Sequence, residues 1–188
     1  SDEKKTSLAA WKAKMGDKAA DEVRDTAAAR GTAMHTYLEH YLDGTGYKDL
    51  TPLGKQAEVM ANKIIESGLG DLEELWGLET TLYYPDLYAG ATDVVGIYAG
   101  QPAIIDFKQS NKPKRREWIL DYFEQLGAYA MAHNQVYGTK IQSGIVLMCT
   151  KDFMFQKFEV SGREFVKHQH AFLRKCDQYY KNVSKTKE

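Results

Sequence analysis

The feature that most restricts this chain is a change of texture near Trp76, where helix-type sequence gives way to strand-type sequence. Up to about Leu42 the chain is rich in Ala, Lys, Glu and Asp and has no proline, which favours helix. Gly16-Asp17 predicts a break, with Asp17 capping the next helix. Gly44, Gly46 and Pro52 mark a loop. A further helix is expected from about Leu53 to Ser67, burying Val59 and Ile64 and ending at Gly68 and Gly70. After Trp76, Leu78–Tyr84 is dense in β-branched and aromatic residues. Tyr88–Tyr98 and Ala103–Gln109 read as two more strands, with turns at Pro85-Asp86 and Gly100-Gln101-Pro102. Glu117–Asn134 reads as an amphipathic helix, Gln142–Thr150 as an apolar strand, Phe153–Val160 as its hairpin partner and Arg163 to about Lys181 as a closing helix. The predicted class is α/β, a mixed central sheet flanked by helices with a helical segment in front.

The 188 residues are 43% hydrophobic and 27% charged, a globular composition that excludes a disordered or collagen-like chain. No repeat or linker is visible. One domain over 1–188 is expected, with a helical part at 1–75, a sheet with its helix at 76–160 and a last helix at 161–188. The net charge of −1 is not that of a protein that coats nucleic acid, so a polyanion must be met by a local patch. Two cysteines cannot build a disulfide framework or a four-cysteine iron–sulfur cluster. No apolar run approaches the roughly 20 residues of a membrane helix, and no secretory leader opens the sequence. The expected setting is intracellular, in the cytoplasm and away from membranes, with the chain as a monomer.

The densest chemistry is Ile104-Ile105-Asp106-Phe107-Lys108. On a strand Asp106 and Lys108 share one face and Ile105 and Phe107 the other. The pattern alone is weak, since composition gives about three to four acid-x-Lys matches in such a chain. Hairpin arithmetic strengthens it. Pairing about Ala99-Gly100 sets Asp93 opposite Asp106, and a turn through Pro85-Asp86-Leu87 sets Glu79 opposite Asp93. Opposed side chains stand about 4.5–5.5 Å apart at Cβ, so three carboxylates in a row repel unless a cation lies among them. Oxygen ligands favour Mg²⁺ or Mn²⁺. Each acid alone could be a solvated strand residue, and Asp106 with Lys108 a surface ion pair. His35 and Glu39 stand one helical turn apart, a spacing that fits a shared ligand role or an ordinary His–Glu hydrogen bond, and Gln125 and Tyr129 repeat it, which by itself reads as a core-facing Tyr beside an amide. Lys112, Lys114, Arg115, Arg116 and Trp118 form a basic run with an aromatic. It suits phosphate contact with base stacking, or simply a solvated loop.

The order Gly31-x-x-x-His35, Glu79, Gly90-x-x-Asp93, Asp106-x-Lys108, Gln125-x-x-x-Tyr129 resembles the RecB-like branch of the PD-(D/E)XK nucleases, over about Arg30–Thr150. Trp11, Gly16, Arg30-Gly31-Thr32 and Asp106-Phe107-Lys108-Gln109-Ser110-x-Lys112-Pro113 look most like its mitochondrial genome-maintenance exonuclease subgroup, with phage and bacterial relatives. A literal Pro85-Asp86 is present but falls in the predicted turn, so the first acid is placed at Asp93.

The resemblance implies a restriction-endonuclease-like nuclease domain that hydrolyses DNA with Mg²⁺ or Mn²⁺ and carries no iron–sulfur cluster. Its place would be in DNA replication, repair or recombination. By the same resemblance Asp93, Asp106 and the backbone carbonyl of Phe107 hold the metal, with His35 completing the site and Glu79 serving as a further ligand or orienting water. Lys108 positions or deprotonates the attacking water, and Gln125 and Tyr129 orient Lys108, water or phosphate. Arg30, Lys112, Lys114, Arg115, Arg116 and Trp118 are expected to contact DNA, as a single strand threaded from a free end. An endonuclease of the same fold and an inactive binding module remain the other readings.

Overall fold

The computed structural model describes residues 2–185, so the extreme ends of the expected 1–188 domain lie outside the described residues. The elements in chain order are α1 (Asp2–Met15), α2 (Asp17–Leu42), α3 (Pro52–Gly68), β1 (Leu72–Tyr84), β2 (Tyr88–Tyr98), β3 (Gln101–Ser110), α4 (Leu120–Tyr137), β4 (Ser143–Thr150), β5 (Phe155–Ser161) and α5 (Gly162–Lys185). The five strands form one sheet in the order β1-β2-β3-β4-β5. All neighbours are antiparallel except β3 and β4, which run parallel. A parallel pair needs a crossover, and α4 supplies it. The expected mixed sheet between helical layers is the fold observed.

Each sheet face carries its own core. On one, Val94, Ile105, Phe107, Ile145 and Leu147 pack against Met34 and Leu38 of α2 and Met60 and Ile64 of α3. On the other, Val95, Ile104, Val146 and Met148 meet Phe123 and Leu126 of α4 and Phe165 of α5. Strands covered on both faces read as continuous apolar runs, and β4 is buried along its whole length. The first hairpin turns through Asp86, at φ 58°. The second turns through Ala99 (φ 48°) and Gly100 (φ 77°), two successive left-handed residues whose twist matches the flanking strands.

Several local expectations are corrected. Gly16, not Asp17, occupies the cap of α2 without a side-chain hydrogen bond, while Asp17 starts the helix, where a negative charge is favoured by its dipole. Val59 is exposed, because it stands on the face of α3 turned from the sheet, whereas Ile64 is fully buried. The first strand begins at Leu72, so the helical part ends before residue 75. Its start was hidden because β1 is a solvent-facing strand with two bulges, and no continuous apolar run announces it. The helix expected from Glu117 starts at Leu120, after a single 3₁₀ turn at Arg116–Trp118.

Candidate active site

The site forms where two strands part. β2 and β3 pair from Tyr98/Gln101 to Val94/Ile105 and no further. Beyond that point β2 continues with β1 alone and β3 with β4 alone. The predicted register holds, since Val94 faces Ile105, and Leu78/Val94 and Thr80/Thr92 flank Glu79 and Asp93. What the register did not anticipate is the split. It frees the Phe107 N–H, and the Asp93 carboxylate accepts from it at 2.6 Å. A side chain thus replaces the missing strand partner. Because a strand residue's N–H and C=O leave on the same edge, the Phe107 carbonyl faces this split too.

His35 reaches the split from α2. Its Nδ1 donates to the Gly31 carbonyl at 2.8 Å, which directs Nε2 at Asp93 Oδ2, 3.3 Å away. Burial alone would lower the His35 pKa, but Asp93 beside it reverses this and carries it to about 9. The same pairing, with the Phe107 N–H, holds Asp93 well below the usual carboxylate range despite burial. Asp106 behaves oppositely. Burial and neighbouring Asp93 push it up to about 7, against the pull of Lys108. Lys108 Nζ lies 2.5 Å from Asp106 Oδ2, a contact that keeps the ammonium charged although burial opposes it. Glu79 sits exposed at the rim in a left-handed conformation (φ 48°). Partial desolvation and nearby Asp93 raise its pKa, as does Glu39 of α2.

The Lys108 side chain is steered by α4. Gln125 Oε1 stands 3.4 Å from Nζ, Gln125 Nε2 donates to Tyr129 at 2.8 Å, and the Tyr122 ring lies 5.0 Å below the ammonium. Tyr129 in turn packs on Gly90, where a Cβ would come within 2.7 Å of its ring. A glycine at position 90 of β2 is therefore a packing requirement of the Tyr129 ring.

The structure thus brings together His35, Asp93, Asp106, Phe107, Lys108, Gln125 and Tyr129, with Glu79 at the edge. Two of the expected DNA contacts are otherwise engaged. Arg30 is buried and donates to the side-chain oxygens of Gln56, Gln109 and Asn111, so it ties α2 and α3 to the end of β3 instead of facing solvent. Arg116 is bound by Glu164 at 2.9 Å and lies over the Phe123 ring. Lys112, Arg115 and Trp118 are exposed, with Arg115 stacked 5.3 Å from the Trp118 ring, while Lys114 is anchored through its backbone to Gln156. Asp86 is exposed in the hairpin turn. Sequence reasoning passed over Tyr122, although it lies three residues before Gln125 and so on the same helical face. It also assigned Glu39 no influence on Glu79.

Among the described residues, no three His, Cys, Asp or Glu side chains stand with metal-ligand geometry. The donor chemistry nonetheless fits a hard cation. Asp106 Oδ2 is buried and, apart from its ionic contact with Lys108, has no hydrogen-bond partner. Asp93 and Asp106 perturb one another's charge, and a hard divalent ion is the group that relieves two adjacent carboxylates. His35 as placed meets Asp93 through Nε2, so ligation would require that nitrogen to be free of a proton. A hollow of about 650 Å³ between α4 and the start of α5 lies away from these acids and is lined by residues such as Tyr84, Met131 and Phe165.

No protein-family model matches the chain. It is 28% identical over 156 residues to mitochondrial genome maintenance exonuclease 1 of Xenopus tropicalis, covering 77% of this chain and 44% of that protein. It is 29% identical over 158 residues to the Homo sapiens protein of the same name, with the same coverage. The chain therefore spans less than half the length of these curated relatives. Its fold matches a crystal structure of a candidate exonuclease from Eubacterium rectale, with a TM-score of 0.58 and 16% identity over 82% of this chain and 66% of that one. The chain resembles the PD-(D/E)XK nucleases. The likeness extends from the order of the motif residues to the mixed sheet that carries them. Among the described residues, no helix is long and apolar enough to cross a membrane.

Proposed function

We propose that this chain is a metal-dependent deoxyribonuclease that hydrolyses phosphodiester bonds from the free ends of linear single-stranded DNA. The observation that carries the reading is the split between β2 and β3, which holds Asp93 and Asp106 together with Lys108 charged against Asp106. Relatives that bear the name exonuclease support the reaction class.

Asp93, Asp106 and the Phe107 carbonyl would hold Mg²⁺ or Mn²⁺. When bound, that ion offsets phosphate charge and draws electrons from the scissile phosphorus. Lys108, kept cationic by Asp106, would donate to the attacking water or a phosphate oxygen and offset charge that grows in the transition state. Gln125, fixed by Tyr129, holds the ammonium in line. Glu79, with its raised pKa, is suited to accept or return a proton at the rim. Lys112, Arg115 and Trp118 offer phosphate contacts and one stacking surface beside β3, which suits a single flexible strand better than a stiff duplex.

Labelled linear single-stranded, linear duplex and circular single-stranded DNA, each with Mg²⁺, Mn²⁺ or EDTA, would test this reading. The expected result is metal-dependent loss of linear single strands and little cutting of circles. Lys108→Ala should lower turnover by about 10²–10³-fold, and Asp106→Asn should abolish it, each with the fold retained. Turnover by Asp106→Asn would remove the assigned site. Rapid cutting of circles would replace the exonuclease with an endonuclease, and binding without cutting in either metal would leave a binding module.

A further inference from the structure

α5 stands apart from the rest of the chain in charge. Its 24 residues carry six Lys or Arg and two Asp or Glu, a local net charge of +4 in a chain whose net charge is −1. The charges are also sorted by face. Arg163, Lys167, His170 and Arg174 recur at intervals of four, three and four residues, which places them within an arc of about 60° on an α-helix. All four are exposed. The acids lie off this group or are spent: Glu164 holds Arg116 and Asp177 holds Lys181. Lys175 is likewise engaged, by Glu124 of α4. Arg163, Lys167 and Arg174 have no acidic partner among the described residues. The opposite face is used for packing, with Phe165 in the core and Phe172 against Tyr88.

Resting on the nuclease reading above, we propose that the outer face of α5 is a track for the phosphate backbone of the substrate strand, remote from the scissile bond. Three cations about 6 Å and then about 10 Å apart along the axis meet a linear polyanion, whereas a folded acidic partner would need matching apolar contacts that this face lacks. The helix is braced for such a role. It packs along α4, which carries Gln125 and Tyr129, and the Tyr180 hydroxyl donates to the Leu87 carbonyl at the β1–β2 turn. Arg163 also lines the 650 Å³ hollow at the start of the helix, so the track begins beside a space with aromatic walls. The basic run Lys112–Trp118 then serves the strand near the acids, and α5 holds a more distant part.

The test uses the full chain in EDTA, where nothing is cut. Fluorescence anisotropy follows binding of labelled oligodeoxythymidines of about 8 and about 30 nucleotides over a range of salt. The triple variant Arg163→Glu, Lys167→Glu, Arg174→Glu should bind the long strand at least about tenfold more weakly, with a salt slope smaller by about two. It should bind the short strand as the parent does. The charge-preserving variant Arg163→Lys, Lys167→Arg, Arg174→Lys should behave like the parent on both. Unchanged binding of the long strand, or equal loss on both lengths, would overturn the track. So would loss of binding to phosphatidylserine vesicles with DNA binding intact, which would make the face a membrane contact. A length effect without hydrolysis in Mg²⁺ would instead defeat the nuclease reading alone.

Discussion

β2 and β3 are one hairpin with two different halves. From Val94/Ile105 to the turn the strands are zipped, and Val94, Val95, Ile104 and Ile105 are fully buried between helices on both faces. Past that point they part, and the same two strands present Asp93, Asp106 and Lys108. The zipped half is held by backbone pairing and apolar burial. The open half is held by charge, with Asp93 standing in for a strand and His35 balancing it. The lesson is that this site is made by interrupting a ladder, and that the well-packed half keeps the interruption from spreading.

The sharpest way to break the comparison is to mutate neighbours that lie on either side of the boundary. Ile105→Ala should cost about 2–5 kcal/mol, because a fully buried residue leaves a cavity. Asp106→Asn, one residue on, should cost less than about 1 kcal/mol or even stabilise the metal-free protein. It removes a charge that burial and Asp93 already oppose. Chemical denaturation of both variants measures the gap, and equal losses would mean that the open half is packed like the zipped one.

A smaller effect is expected at the brace of the open half. Gly90→Ala puts a Cβ within 2.7 Å of the Tyr129 ring, and overpacking of this kind costs about 1–3 kcal/mol. The displaced ring should also release Gln125 and lower turnover. The double variant Gly90→Ala, Tyr129→Leu should recover the lost melting temperature but not the activity. Recovery of both would show that Tyr129 acts only as packing.

The smallest effect asks what burial does to a histidine with no acid beside it. His133 of α4 is buried, with Nδ1 2.8 Å from the Thr139 hydroxyl, and burial lowers its pKa. Burial acts in the same direction on His35, where Asp93 overturns it. With the folded pKa of His133 below the ordinary 6.5, the unfolded chain takes the proton first. Its contribution is therefore complete above about pH 6.5 and is lost as pH falls through the folded value. His133→Gln should flatten the fall in melting temperature below pH 6.5, and NMR should place the His133 midpoint under that of a free imidazole. A midpoint above 6.5 would mean that an unseen charge, and not burial, governs it.

Much of the sheet was legible because period and turn chemistry are local. The Pro85-Asp86-Leu87 and Ala99-Gly100 turns set both hairpin registers, and these place Glu79, Asp93 and Asp106 on neighbouring strands. The i, i+4 spacing of Gln125 and Tyr129 likewise put them on one helical face, where they are hydrogen-bonded. The start of β1 and the exposure of Val59 were not legible, since a bulged outer strand and the outer face of a helix carry no apolar run to mark them.

What the sequence by itself determined is therefore the class of fold, the order of its elements and the strands on which the acids sit. Each of these follows from alternation, helical spacing or turn geometry within a few residues, whereas the roles expected of His35, Lys108, Gln125 and Tyr129 rest on the family resemblance. Only the tertiary structure decided where the β2–β3 ladder stops, and with it the turning of Asp93 onto the Phe107 N–H and His35. The same is true of Arg30, which reads as a surface cation in sequence and is buried because three amide oxygens from α3 and the end of β3 converge on it. Such outcomes depend on groups up to 81 positions apart in the chain meeting in space, and no local pattern encodes where unpaired donors and buried charges will find one another.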